Sequence, residues 1–396
     1  MRRTRRSRVV AGILIVLIGM GILFFASPNS RVASLISIHR TQESAIDGRV
    51  VQEEVDSLSE RELEEVAGEL RRNRDLYQPI VGWLLQHAPA VLRDPVLNAQ
   101  SEVFSQQVAL VELLARAGPR ARSAEPVLEA LAADPGHQIQ QVAMIALHRV
   151  RGTPIREILT LPLLNSPTPL DQQIRAAINL ASFMTNPPTE LLPLFRRGLE
   201  SEGKNDRGIS AYGLQFYRTD AGELAPLLQH LLTDSSGEVR AEAAVALGHV
   251  SRAHARESVA AILEQLRTNG AAGAYRSFEL FALAGPDAAA AVPFLEANLA
   301  GENYAMVRGL MGVALWRIQH QASPAVVSAV ADGLSSPYQA VQVSAVDAVA
   351  EMGPQAAAAV PNLERLSHHP RVRIRRKALE ALAAIRNQSA AVSSAP

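Results

Sequence analysis

The chain contains no cysteine in its 396 residues. That excludes a structural disulfide, a thiolate zinc site, a cysteine nucleophile and a lipid-modified N-terminal cysteine. Lysine is nearly absent too, with Lys204 and Lys377 alone. Aromatic residues make up 4% against 48% hydrophobic residues overall, so the core is built from Ala, Leu and Val. Small faces of that kind let helices approach closely, which suits layered helix pairs. Net charge is zero, but five of the 39 basic residues (Arg2, Arg3, Arg5, Arg6 and Arg8) crowd into the first eight positions. The remaining 34 face 39 acidic groups, the opposite of a nucleic-acid binder's bias, so nucleic acid is not an expected partner. None of the ten histidines precedes a glutamate, and no pair has HExxH spacing. His249 and His254, five apart, do not share a helical face. No catalytic, cofactor-binding or metal-binding residue is therefore assigned.

What the chain does have is repetition. One helix is written nine times, starting at Gln106, Ile139, Ile174, Asp206, Val239, Tyr275, Val307, Val341 and Ile374, at intervals of 32 to 36 residues. Its clearest copy has Val239, Ala243, Ala246, Leu247 and Val250 as the apolar stripe. Such an interval holds two helices and two turns, one layer of a stack. Gly118-Pro119, Gly285-Pro286 and Gly353-Pro354 each end an inner helix, with a second proline eight residues after the Gly at Pro126, Pro293 and Pro361. Gly suits a left-handed cap, and the second Pro suits the first turn of the next helix. The stretches 165–169, 185–189 and 203–206 are looser connections, where the stack is expected to bend.

The second position of each copy forms a column: Gln107, Gln140, Arg175, Arg207, Arg240, Arg276, Arg308, Gln342 and Arg375. The expectation is a structural ladder, with each long side chain meeting the next layer's loop near Asp134, Asp234 or Glu302. The competing reading is an anion-binding strip. Aromatics gather at Tyr212, Phe216, Tyr217, Tyr275, Phe278, Phe281, Tyr304 and Trp316. Of these, Tyr212, Phe216, Tyr275, Phe278, Phe281, Tyr304 and Trp316 are candidates for a partner-binding groove, against the alternative of interlayer packing.

The loop Asp234 followed by Val239-Arg240-x-x-Ala243-x-x-Ala246-Leu247-Gly248 resembles HEAT repeats, in the short form named after phycobilisome lyases. The resemblance covers about residues 76–386. It implies an all-α, right-handed α-solenoid of about nine helix pairs, with the second helix of each pair on the concave side. It is weak for function, because this repeat serves scaffolds, adaptors and a few enzymes. Enzymes of the deoxyhypusine-hydroxylase type take a di-iron site from His-Glu pairs, which this sequence lacks. A bilin-lyase activity has no residue to support it here.

Val9–Ala26 is an uncharged run that as a helix spans roughly 27 Å, near the roughly 30 Å of bilayer hydrocarbon. With the cytoplasmic Arg segment 1–8 before it, it reads as a single-pass anchor at the inner membrane, with the solenoid extracytoplasmic. A cleaved signal peptide is the alternative. Residues 27–58 read as a tether and 59–386 as the solenoid. Within it, 59–75 is a cap helix opened by Ser59-x-x-Glu62, and 387–396 follows as a disordered tail. The basic run from Arg365 to Lys377 is a solvated cap or a contact for an acidic surface. The expected function is a membrane-anchored scaffold or adaptor for an unidentified protein partner, with no cofactor. An enzyme of the two lineages above, or a structural spacer, is the alternative.

Overall fold

The computed structural model describes residues 52, 55–87, 93–134, 139–269, 275–302, 304–336, 339–369 and 372–393. The expected anchor, Val9–Ala26, and most of the tether lie outside the described residues. Among the described residues all regular structure is helical and no strand occurs. The chain forms two compact units, one holding Val55–Pro154 and the other running from Ile155 onward.

In the first unit, α1 (Glu60–Arg72) starts at a complete capping box. The Ser59 N–H donates to Glu62 Oε2 at 2.8 Å and the Glu62 N–H donates to Ser59 Oγ at 3.3 Å. Its Leu63, Val66 and Leu70 are buried and most of its charges lie on the other face, Glu69 being a buried exception. A π-helical turn, Asn73–Tyr77, leads into α2 (Gln78–His87), α3 (Arg93–Ala117), α4 (Glu125–Ala132) and α5 (Gln140–Arg151). Helix α5 packs on both α3 and α4. The tether ends sooner than expected, because Val55 and Leu58 are buried in this unit. Arg120 fixes them by donating to the carbonyls of Val55, at 3.3 Å, and Leu58.

The second unit opens with a one-turn helix, Ile155–Ile158, and a short 3-10 turn, Pro162–Leu164. Then come α6 (Leu170–Ser182), α7 (Leu192–Leu199), α8 (Lys204–Leu214), α9 (Ala225–Leu231), α10 (Gly237–Val250) and α11 (Ala255–Asn269). They are followed by α12 (Tyr275–Ala284), α13 (Val292–Leu299), α14 (Ala305–Gln319), α15 (Pro324–Gly333), α16 (Gln339–Met352), α17 (Val360–Leu366) and α18 (Val372–Ser393). The even-numbered helices α6 to α18 carry the repeated stripe, and each packs against the even-numbered helices before and after it. Each odd-numbered helix, α7 to α17, lies against the even-numbered helix that follows it. Helices α14 and α15 approach closely where Gly309 faces Gly333: a Cβ added at Gly309 would stand 2.5 Å from Gly333 Cα.

The three Gly-Pro turns share one geometry. Gly118, Gly285 and Gly353 have φ of 57°, 57° and 59°. Each opens a 3-10 turn containing one fully buried, non-helical alanine: Ala121, Ala288 or Ala356. The proline eight residues after the Gly enters the next helix, where its missing N–H removes no bond. A fourth copy was not evident from the Gly-Pro pattern. Arg218–Leu224 is a 3-10 turn of the same length, with buried Ala221 in third-after position and Pro226 eight residues on, but Arg218 holds the left-handed place at φ 51°.

Among the described residues one helical stretch, Arg276–Leu299, is long and apolar enough to cross a membrane. It is interrupted at Ala288, and its Phe278, Phe281, Leu295 and Leu299 belong to the core of the second unit. Its apolar character is that of a core element. Helix α18 continues to Ser393, into the stretch expected to be a disordered tail. Its Ala-rich sequence up to Ser393 contains no Gly or Pro to end the helix.

Candidate functional site

Arginines on the even-numbered helices of the second unit fall into two groups. The first group binds loops. Arg207 donates two bonds to the Asp234 carboxylate, from Nε at 2.7 Å and Nη2 at 3.1 Å, and Nη1 reaches the carbonyls of Ser201 and Glu202. Arg308 likewise bonds Asp332 Oδ2 at 2.7 Å and the Leu299 carbonyl at 2.8 Å. Arg240 and Arg375 donate to the carbonyls of Asp234 and His369, at 2.7 and 2.8 Å. The Arg207 guanidinium, aided by the Ser236 N–H, holds the Asp234 carboxyl below the usual carboxylate range.

Arg175 departs from this: it is exposed and makes no such bond among the described residues. In its layer Gln173 takes the role, donating to the Thr168 carbonyl at 2.5 Å, because α6 begins directly after Pro169 and turns Gln173 toward the loop. Arg276 donates to Glu242 at 2.5 Å, with its guanidinium 5.4 Å from the Tyr212 ring centre. Glu302 accepts from the Tyr304 N–H, just before α14, at 2.8 Å rather than meeting an arginine.

The aromatic candidates do not form one surface. Phe278 and Phe281 are fully buried core residues, edge to face at 6.3 Å. Trp316 is buried as well, and its indole N–H donates to Glu351 Oε2 at 3.0 Å. Tyr212 and Phe216 are half-buried and stack edge to face at 5.8 Å. Tyr304 stands apart, 75% exposed at the start of α14. The side chain of Tyr275 lies outside the described residues. The large aromatics here serve mainly as core, since they supply area that alanine-rich faces lack.

What the structure does offer is a groove of about 490 Å³ across α10, α12 and α14, bounded by Arg218, Arg252, Arg276 and Arg317. His249 and Leu283 also line it. Glu242 binds Arg276, and Glu351 binds Arg317 at 2.8 Å. Arg252 has no ion pair among the described residues. Burial, and then the positive charges of Arg218 and Arg276, push the His249 imidazole down to about 4, so it is neutral at pH 7. Holding Arg218 in the left-handed region costs on the order of 1 kcal/mol relative to an ordinary conformation. Sequence reading passed over Arg218, yet Ala221 and Pro226 place it in register with Gly118, Gly285 and Gly353. Nothing comparable in the sequence marks Arg252 or Arg317 as groove residues.

The basic C-terminal run is largely engaged. Lys377 pairs with Asp347 at 2.5 Å, and Arg365 donates to Ser335 Oγ at 2.8 Å. Arg376 sits 3.7 Å from Glu380. The side chains of Arg371 and Arg373 lie outside the described residues. Compared with known proteins, the chain matches no family model and no curated protein.

Proposed function

We propose that this protein is a membrane-anchored scaffold or adaptor: a HEAT-type α-solenoid that holds a protein partner on the face of its even-numbered helices. The support for the solenoid is the regular 32–36-residue interval together with the packing of each striped helix on its neighbours in the row. The observation that carries the binding role is the arginine-lined groove, which interrupts that row with charged side chains rather than covering it. The anchor is the uncharged run Val9–Ala26 behind five arginines, which favours an extracytoplasmic position for everything after it.

Proximity labelling from a tag on the C-terminus of the full chain in living cells tests both parts. Labelled extracytoplasmic proteins, with one enriched reproducibly, are the expected outcome. Labelling confined to cytoplasmic proteins would overturn the orientation, and labelling of bulk protein with no enrichment would favour a spacer.

A further inference from the structure

We propose that the groove bounded by Arg218, Arg252, Arg276 and Arg317 receives a short acidic segment of the partner protein. Its carboxylates would lie on the guanidinium groups and an aliphatic side chain against Leu283. This rests on the scaffold reading and supplies the chemistry of its partner.

Arg218 is the first argument. Four seven-residue 3-10 turns of the chain begin at a left-handed residue, and three place glycine there. Only glycine adopts that region without steric conflict. Arginine at the fourth carries the strain of a side chain there, and that side chain is exposed and lines the groove. Strain retained at one member of a repeated set, and located in a concavity, marks a position selected for its side chain.

Charge is the second argument. Four arginines line the groove, while Glu279 is its one acidic lining residue, and Glu242 and Glu351 hold Arg276 and Arg317. Counting all three carboxylates leaves an excess of one positive charge, with His249 neutral. The held guanidiniums are pre-aimed, and their planar forks match carboxylates in two-bond geometry. The third argument is Leu283, which is 50% exposed beside these cations. A small inorganic anion would use the arginines and leave Leu283 bare. An extended chain crossing α10, α12 and α14 would cover both.

The test uses the full chain in detergent micelles and fluorescence anisotropy of a short labelled peptide of alternating Glu and Leu. The peptide with Lys in place of Glu and free glutarate are the comparisons. The acidic peptide is expected to bind, with affinity falling as salt rises, and the Lys peptide is not. Arg218→Gly and Arg252→Ala are each expected to weaken binding about tenfold, with Arg218→Lys retaining most of it. Arg218→Gly should melt at the same temperature as the parent or higher, which separates lost binding from lost folding. Equal binding of the Lys peptide, an unchanged affinity in Arg218→Gly, or displacement by glutarate at peptide-like concentration would each overturn the proposal. A partner captured from cells equally by the parent and Arg218→Gly would overturn the groove and leave the scaffold reading standing. The expected peptide pattern without any captured partner would support the groove and overturn the scaffold.

Discussion

Two sets of arginines, on one row of helices and on the turns that follow them, behave differently. Arg207, Arg240, Arg308 and Arg375 are satisfied by loop carbonyls and by carboxylates on the next layer. Arg218, Arg252, Arg276 and Arg317 border a concavity, with partial pairing and, at Arg218, a strained backbone. Residue type alone does not separate them. What does is placement: a guanidinium bonded to loop carbonyls is a cross-brace, and the other set lines a concavity.

The largest expected effect breaks a brace. Arg207 and Asp234 expose 15% and 6% of their side chains, so Arg207→Ala strips the guanidinium from two carbonyls and from a nearly buried carboxylate that keeps the Ser236 N–H. A loss of about 2–3 kcal/mol is expected in chemical denaturation, against less than about 0.5 kcal/mol for Arg252→Ala. Equal losses would dissolve the distinction between the two sets. Next comes the turn: Gly285→Arg copies the Arg218 geometry into a regular layer and is expected to lower stability by about 1 kcal/mol. A neutral result there would remove the strain argument at Arg218.

Acid separates the sets by pH window. Asp234 has a lowered folded-state pKa, so its contribution is complete above the ordinary carboxylate range and is lost as pH falls below it. His249 has a folded-state pKa of about 4 against 6.5 unfolded, so the unfolded chain takes the proton first. Stability therefore falls as pH drops from about 6.5 to 4, by at most about 3 kcal/mol. Denaturation across that range should lose its slope in His249→Gln and keep it in Arg207→Ala. A slope unchanged in His249→Gln would show that His249 is not held neutral.

Much of the fold was legible. The repeated stripe located every even-numbered helix of the second unit, because an apolar period has to meet a neighbour to be buried. The Gly-Pro turns were readable because left-handed backbone and a missing N–H each select one residue type. The boundary of the tether was not, since Val55 and Leu58 are isolated apolar residues whose burial depends on Arg120, over sixty positions away. The aromatic candidates were located by residue type, and tertiary packing placed Phe278, Phe281 and Trp316 in the core. The groove was illegible for the same reason. Its walls come from several layers, and only the register of Arg218 with three glycines left a trace.

A photo-activated cross-linker placed at Leu283 in the full chain, in intact membranes, addresses the central claim most directly. Leu379 on α18, 52% exposed against 50% for Leu283, is the matched control. The account predicts a discrete cross-linked protein from Leu283 that is lost on Arg218→Gly and absent from Leu379. The same product from both positions, or from Leu379 alone, would contradict it.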